Sequence, residues 1–117
     1  MASDFVLTRD QVRRIDADAV SQLSIPGLLL MENAARGACD ILLSHNPKGR
    51  VVILCGPGNN GGDGLAMARL LSAAGVSAES HLLRGGKTLT GDAAANLEFL
   101  EHAGVLVPQI DLPSIAR

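Results

Sequence analysis

Nine residues in the middle of this chain constrain it more than any others: Gly56-Pro57-Gly58-Asn59-Asn60-Gly61-Gly62-Asp63-Gly64. They follow an uninterrupted apolar run, Val51-Val52-Ile53-Leu54-Cys55, and precede Leu65 to Ala74 at helical spacing, with Gly75 as the stop. Such a run suits a strand buried on both faces, as in a parallel sheet. The segment therefore joins a strand's carboxyl end to a helix's amino end, where unpaired N–H groups and the positive end of a helix dipole gather. Phosphates and other anionic oxygens bind at such places. Five of the nine residues are glycine. Each costs backbone entropy, and a connection that only had to turn would use roughly one or two. The excess implies that something approaches the backbone closely.

Gly56, Gly58 and Gly61 satisfy G-x-G-x-x-G, which is a weak signal alone. An ordinary NAD site also wants a carboxylate near the end of the second strand to hold the ribose hydroxyls. Here that strand ends Leu82-Leu83-Arg84, and the carboxylate is missing. Arg84 reads either as a solvated loop arginine or as a partner for a 2′-phosphate. No Lys-Ser/Thr pair follows the glycines, so the segment is not a Walker A loop. No serine-centred nucleophile elbow is present.

Asp63 is the N-cap or a first-turn carboxylate of the Leu65 helix, or a ligand-positioning carboxylate, or both. Either role argues against a general base, because a helix amino terminus favours the charged form. Asn59 and Asn60 read as turn formers or as oxygen donors to a hard or monovalent cation, with their place in the glycine cluster favouring the second. His45, His81 and His102 are too scattered for a metal motif. Cys39 and Cys55 lie in apolar runs without CxxC spacing and read as buried thiols in a reducing compartment. Cys55 and His81 are the one thiol–imidazole pair placed on adjacent strands, with inert packing the plainer reading.

Around the loop the chain alternates. Thr8 and Gln11 have capping-box spacing, and Val12, Ile15, Ala19 and Leu23 then mark one buried helix face. Pro26 suits the first turn of a second helix, which runs to about Ser44 and is apolar over much of its circumference. Glu32, Arg36 and Asp40 are successive i,i+4 neighbours on it, and Gly37 would let another backbone come close. After the Leu65 helix come a strand over Val76 to Leu83, a loop over Arg84 to Lys87, and a helix capped by Thr90 and ended by Gly104. Val105-Leu106-Val107 begins a third strand that Pro108 closes. This alternation predicts an α/β fold, a three-layer αβα Rossmann-like parallel sheet with right-handed crossovers. At 117 residues the chain is sized for one domain or part of a larger one.

Composition narrows the function classes. Ten Lys and Arg against 12 Asp and Glu give a formal charge of −2, with no basic footprint for nucleic acid or an anionic membrane. Phe5 and Phe99 are the only aromatics, too few for base stacking. The apolar segment Ile25 to Leu43 is broken by Glu32, Arg36 and Asp40, so it is no membrane span, and MASDFVLTRD has no signal-peptide pattern. A soluble cytoplasmic protein is expected.

Leu30-Met31-Glu32-Asn33-Ala34-Ala35, the nine-residue loop, Met67-Ala68-Arg69-Leu70-Leu71 and Gly91-Asp92-Ala93-Ala94-Ala95-Asn96 together resemble the YjeF N-terminal domain family. This is the family of the NAD(P)H-hydrate epimerases and the apolipoprotein A-I-binding protein. The resemblance covers the chain from about Thr8 onward. It implies epimerisation of the R and S forms of hydrated NADH and NADPH, so that a partner ADP- or ATP-dependent dehydratase can recover the cofactor. It implies that Asn59, Asn60, Gly61, Gly62 and Asp63 contact the hydrated dinucleotide, and that Asn60 helps hold a potassium ion. It also accounts for the missing ribose carboxylate, since the dinucleotide is substrate outside the usual cofactor pose. The family's later motifs, which complete the pocket and the acid–base chemistry, have no match after Val107, so no catalytic residue is assigned. A sheet that stops after its third strand would leave the Val51 strand as an exposed edge and invite a homodimer.

Overall fold

The computed structural model describes residues 6–110. Within them the order is α1 (Arg9–Leu23), α2 (Gly27–Ser44), β1 (Val51–Cys55), α3 (Asn59–Ala73), β2 (Ala78–Leu83), α4 (Gly91–His102) and β3 (Gln109–Ile110). The chain divides into two compact units, Met1–Leu30 and Met31–Arg117.

In the first unit the capping box is present. The Thr8 hydroxyl accepts the Gln11 N–H at 3.1 Å, and the Gln11 side chain accepts the Thr8 N–H at 2.8 Å. The stripe of Val12, Ile15, Ala19 and Leu23 is not the buried face that its periodicity predicts. No side chain of α1 is buried, and Val12, Ile15 and Leu23 are exposed. A single helix with the first turn of another offers too little apolar surface to cover it. Pro26 precedes α2 instead of lying in its first turn, and its carbonyl accepts the N–H groups of Leu29 and Leu30 at 3.0 and 3.3 Å.

The second unit is built on a parallel sheet of order β1-β2-β3, which places β1 at an edge as expected. Helices α3 and α4 cover one face. Their Leu65, Ala68, Leu97 and Leu100 form one core with Cys55 of β1 and Leu82 of β2. Only that face of β1 is buried: Val52 and Leu54, which alternate with Ile53 and Cys55, are 51% and 66% exposed. The expectation of a strand buried on both faces is therefore corrected.

Helix α2 is likewise buried along one stripe only. Met31, Ala35 and Cys39 are buried at successive i+4 positions, while Ile41 and Leu43 are exposed. The stripe faces α3, where the Cys39 thiol donates to the Met67 carbonyl at 3.7 Å. A Cβ on Gly37 would meet nothing within 4 Å, so the close backbone approach expected there is absent among the described residues.

Helices α3 and α4 end alike. The Gly75 N–H bonds the Ser72 carbonyl and the Val76 N–H the Leu71 carbonyl; Gly104 and Val105 repeat this with Glu101 and Leu100. Both are Schellman caps. They explain two displaced strand starts. Val76 and Val105 belong to caps, so β2 begins at Ala78 and β3 at Gln109. Pro108 does not close the third strand but leads into it, its carbonyl accepting the Leu82 N–H at 2.8 Å.

Candidate functional site

The glycine-rich segment is mostly helix. α3 begins at Asn59, with Gly58 as an N-cap that has no side chain to bond the first turn. Two expectations change. The helix starts six residues before Leu65, and Asp63 is neither N-cap nor first-turn residue but lies in the second turn.

The glycines are crowded chiefly by the protein itself. A Cβ on Gly61 would overlap the Gly56 carbonyl, with the Gly56 carbon at 2.6 Å and its nitrogen at 2.8 Å. On Gly62 it would lie 2.7 Å from Met31 Cε and 3.0 Å from the Cα of Ala93, and on Gly64 2.8 Å from Cys55 Sγ. These three glycines let α3 start tight against the end of β1, between α2 and α4. Gly56 and Gly58 have open space instead.

What faces outward is different. Asn59 and Asn60 are exposed, Gly61 and Gly62 are buried, and Asp63 is half-buried. Asn59 and Asp63 stand four residues apart and share a face of α3, with Asn60 beside them. The first helical bond runs from the Gly62 N–H to the Gly58 carbonyl at 3.0 Å. The preceding N–H groups of Asn59, Asn60 and Gly61 have no acceptor within the helix, and the helix dipole adds positive potential there. Asn59 and Asn60 present neutral amide groups at this exposed helix start. Among the described residues no group of three or more His, Cys, Asp and Glu forms a metal cluster.

Polar contacts link the helices around α3. Glu32 on α2 pairs with Arg69 on α3 and more loosely, at 3.8 Å, with Arg36. Asn96 on α4 is buried. Its amide donates to the Asp92 carbonyl at 3.1 Å and lies 3.2 Å from Met31 Sδ, while its Oδ1 has no partner. A buried asparagine facing a methionine beside Gly62 has no periodic signature, so only the tertiary packing discloses it.

At the same carboxyl edge of the sheet, one strand over, lies a cavity of about 240 Å³ lined by Arg84, Gly85, Gly86, Gln109 and Ile110. Arg84 is only partly exposed, and its Nε is buried without a hydrogen-bond partner. It is not the freely solvated arginine of the plainer reading.

Cys55 and His81 do not form a pair. His81 registers against Leu54 and Cys55 against Leu82, so the two side chains point to opposite faces. His81 Nε2 lies 3.5 Å from Glu79 Oε1, and Cys55 is fully buried against α3 with its thiol pushed up to about 11 by burial. His45 Nδ1 bonds the Ile41 carbonyl at 2.8 Å and His102 lies 3.9 Å from Glu98, as capping and surface roles require.

A parallel β–α–β–α–β unit whose first helix opens on exposed asparagines at the carboxyl end of an edge strand is a Rossmann-like α/β arrangement. Residues 27–115 match the family described as YjeF-related protein N-terminus, and the chain belongs to that family. It is 43% identical over 101 residues to an NAD(P)H-hydrate epimerase of Rhodopirellula baltica, covering 86% of this chain and 41% of the relative. With an NAD(P)H-hydrate epimerase of Pirellula staleyi it shares 41% over 107 residues, covering 92% and 46%. A bifunctional NAD(P)H-hydrate repair enzyme of Thermanaerovibrio acidaminovorans is 52% identical over 68 residues, covering 57% and 13%. The crystal structure of the yeast protein YNL200c superposes with a TM-score of 0.73 at 24% identity, over 91% of this chain and 47% of that one, which establishes the shared fold. The chain thus spans less than half the length of these relatives. No helix among the described residues is long and apolar enough to cross a membrane.

Proposed function

We propose that the start of α3 binds hydrated NADH or NADPH and that the chain serves the interconversion of their R and S epimers. The observation that carries this reading is the exposed Asn59–Asn60 pair beside Asp63, set among unpaired N–H groups at the carboxyl end of β1. The relatives' names supply the substrate. In this reading Asn59 and Asp63 contact the ligand through their side chains, Gly61 through its N–H, and Gly62 by keeping the helix start in place. Asn60 contributes one oxygen to a potassium ion, which supplies fixed positive charge beside the ligand. An epimerase of this kind works with a second activity that consumes one epimer, so functional pairing with an ADP- or ATP-dependent dehydratase belongs to the same proposal, as does a cytoplasmic site of action.

The test is chromatography of R and S hydrated NADPH incubated with the chain in potassium and then in sodium, with Asp63→Ala as control. Interconversion above the spontaneous rate, greater in potassium and lost in the variant, is the expected result. Failure to bind hydrated NADPH by a chain shown to be folded overturns the reading. A second reading is a nucleotide-binding module without turnover. Binding that depends on Asp63, without interconversion, would identify it.

A further inference from the structure

The cavity beside Arg84 lies outside the helix start to which the proposed function assigns the ligand. It stands where the chain leaves β2, on the strand next to β1, and Cys55 registers against Leu82. Arg84, two residues past Leu82, therefore lies beside the segment that leads into α3, and both open on one edge of the sheet. In parallel α/β sheets ligands occupy that edge.

Three features give the cavity one chemistry. The Arg84 guanidinium is drawn in far enough to bury Nε, which has no hydrogen-bond partner. A guanidinium held at the lining of a cavity offers charge-assisted hydrogen bonds to an anionic oxygen that enters it. Arg84 to Lys87 form a tight turn, closed by the Lys87 N–H on the Arg84 carbonyl at 3.1 Å, with φ of +59° at Gly85 and +78° at Gly86. Positive φ at both central residues is the type I′ pattern, and the two glycine N–H groups lie outside the turn's own bond. A Cβ on Gly86 would meet nothing within 4 Å, so packing does not demand this glycine; the backbone conformation does. Finally, the described lining contains a guanidinium, an amide and an isoleucine.

We infer that this cavity is a phosphate subsite: Arg84, with the Gly85–Gly86 turn and Gln109, takes the phosphomonoester on the adenosine ribose of hydrated NADPH and so favours it over hydrated NADH. The inference rests on the proposed dinucleotide ligand. It needs no ribose carboxylate and no particular pose for the nicotinamide, only that the phosphorylated ribose reaches the end of β2. A carboxylate there would serve the unphosphorylated diol; an arginine serves the dianion.

Titration calorimetry tests this with hydrated NADPH, hydrated NADH and inorganic phosphate on the full chain and on Arg84→Gln and Arg84→Lys, with circular dichroism to confirm folding. The expected result is a preference for hydrated NADPH of about tenfold or more. Arg84→Gln should bring it within about twofold by weakening hydrated NADPH alone, and Arg84→Lys should keep part of it. Equal affinities in the parent chain, or a preference that survives Arg84→Gln, overturn the subsite. So does inorganic phosphate binding through Arg84 without any preference between the dinucleotides, which would mark a free-anion site. If the Arg84-dependent preference holds but Asp63→Ala leaves both affinities unchanged, the subsite stands and the proposed role of the α3 start fails. If neither dinucleotide binds, both fail.

Discussion

Gly61 is pressed onto the carbonyl of Gly56, leaving no room for a side chain between the end of β1 and the first turn of α3. The consequence is a helix that starts as soon as the strand has ended, with Asn59 and Asn60 delivered to the sheet's edge on a fixed backbone. A rigid start matters for a site because donors that are already in place need no reorganisation when a ligand arrives.

Substitution should therefore divide the glycines sharply. Gly61→Ala should cost about 3 kcal/mol or more, since its obstacle is backbone that cannot rotate aside. Gly58→Ala, with open space around it, should cost within about 1 kcal/mol. Urea unfolding of the two variants decides the matter. Equal destabilisation would mean that the crowding at Gly61 relaxes freely.

The same crowding shows why the start of α3 was not legible in the sequence. Asn-Asn-Gly-Gly-Asp-Gly contains some of the poorest helix formers, and local propensity places them in a loop. Packing of Gly61, Gly62 and Gly64 against β1, α2 and α4 overrides propensity. Where a local interaction decides, the sequence is transparent: Thr8 and Gln11 cap α1 as their spacing requires. The errors at Val76 and Val105 share one cause. Each valine follows a glycine and has the composition of a strand, but its N–H completes the preceding helix cap. The role of the loop as a link between β1 and a helix was readable, as were the parallel order and the edge position of β1. Asn96 and the Arg84 cavity were not, because they arise from residues far apart in the chain.

Glu32 and Arg69 tie α2 to α3, with 26% and 29% of their side chains exposed. A pair held this close and mostly shielded should couple more strongly than Glu32 with the more exposed Arg36 on the same helix. Double-mutant cycles with alanine should give about 1 kcal/mol for Glu32–Arg69 and about 0.3 kcal/mol for Glu32–Arg36. The reverse ranking would show that α2 is held on α3 by Met31, Ala35 and Cys39 alone.

Burial raises the Cys55 thiol from about 9 to about 11. Cys39 is raised too, first by burial and then by the charges of Asp40 and Glu32. Between those pH values an unfolded chain gives up the Cys55 proton while the folded chain keeps it, so stability falls as pH rises through this window. The Cys55 contribution is up to about 2–3 kcal/mol, fully present below pH 9 and lost toward pH 11. Urea unfolding at successive pH values should show this decline, and Cys55→Ala should flatten it even though it loses packing at neutral pH. An unchanged slope in the variant would assign the decline to other groups.

The remaining prediction concerns the edge of β1 that no strand among the described residues covers. The Val51 N–H reaches the Ser77 carbonyl at 2.9 Å, so alternate backbone groups, those of Val52 and Leu54, point away from β2. The same two residues carry the strand's exposed apolar side chains. An unpaired edge with an open apolar face is a template for another strand, and a second copy of this chain supplies one. Sedimentation velocity should show association that grows with concentration. Leu54→Lys should reduce it without loss of fold, because Leu54 is two-thirds exposed in the single chain. A chain that stays monomeric at high concentration would rule out pairing through this edge.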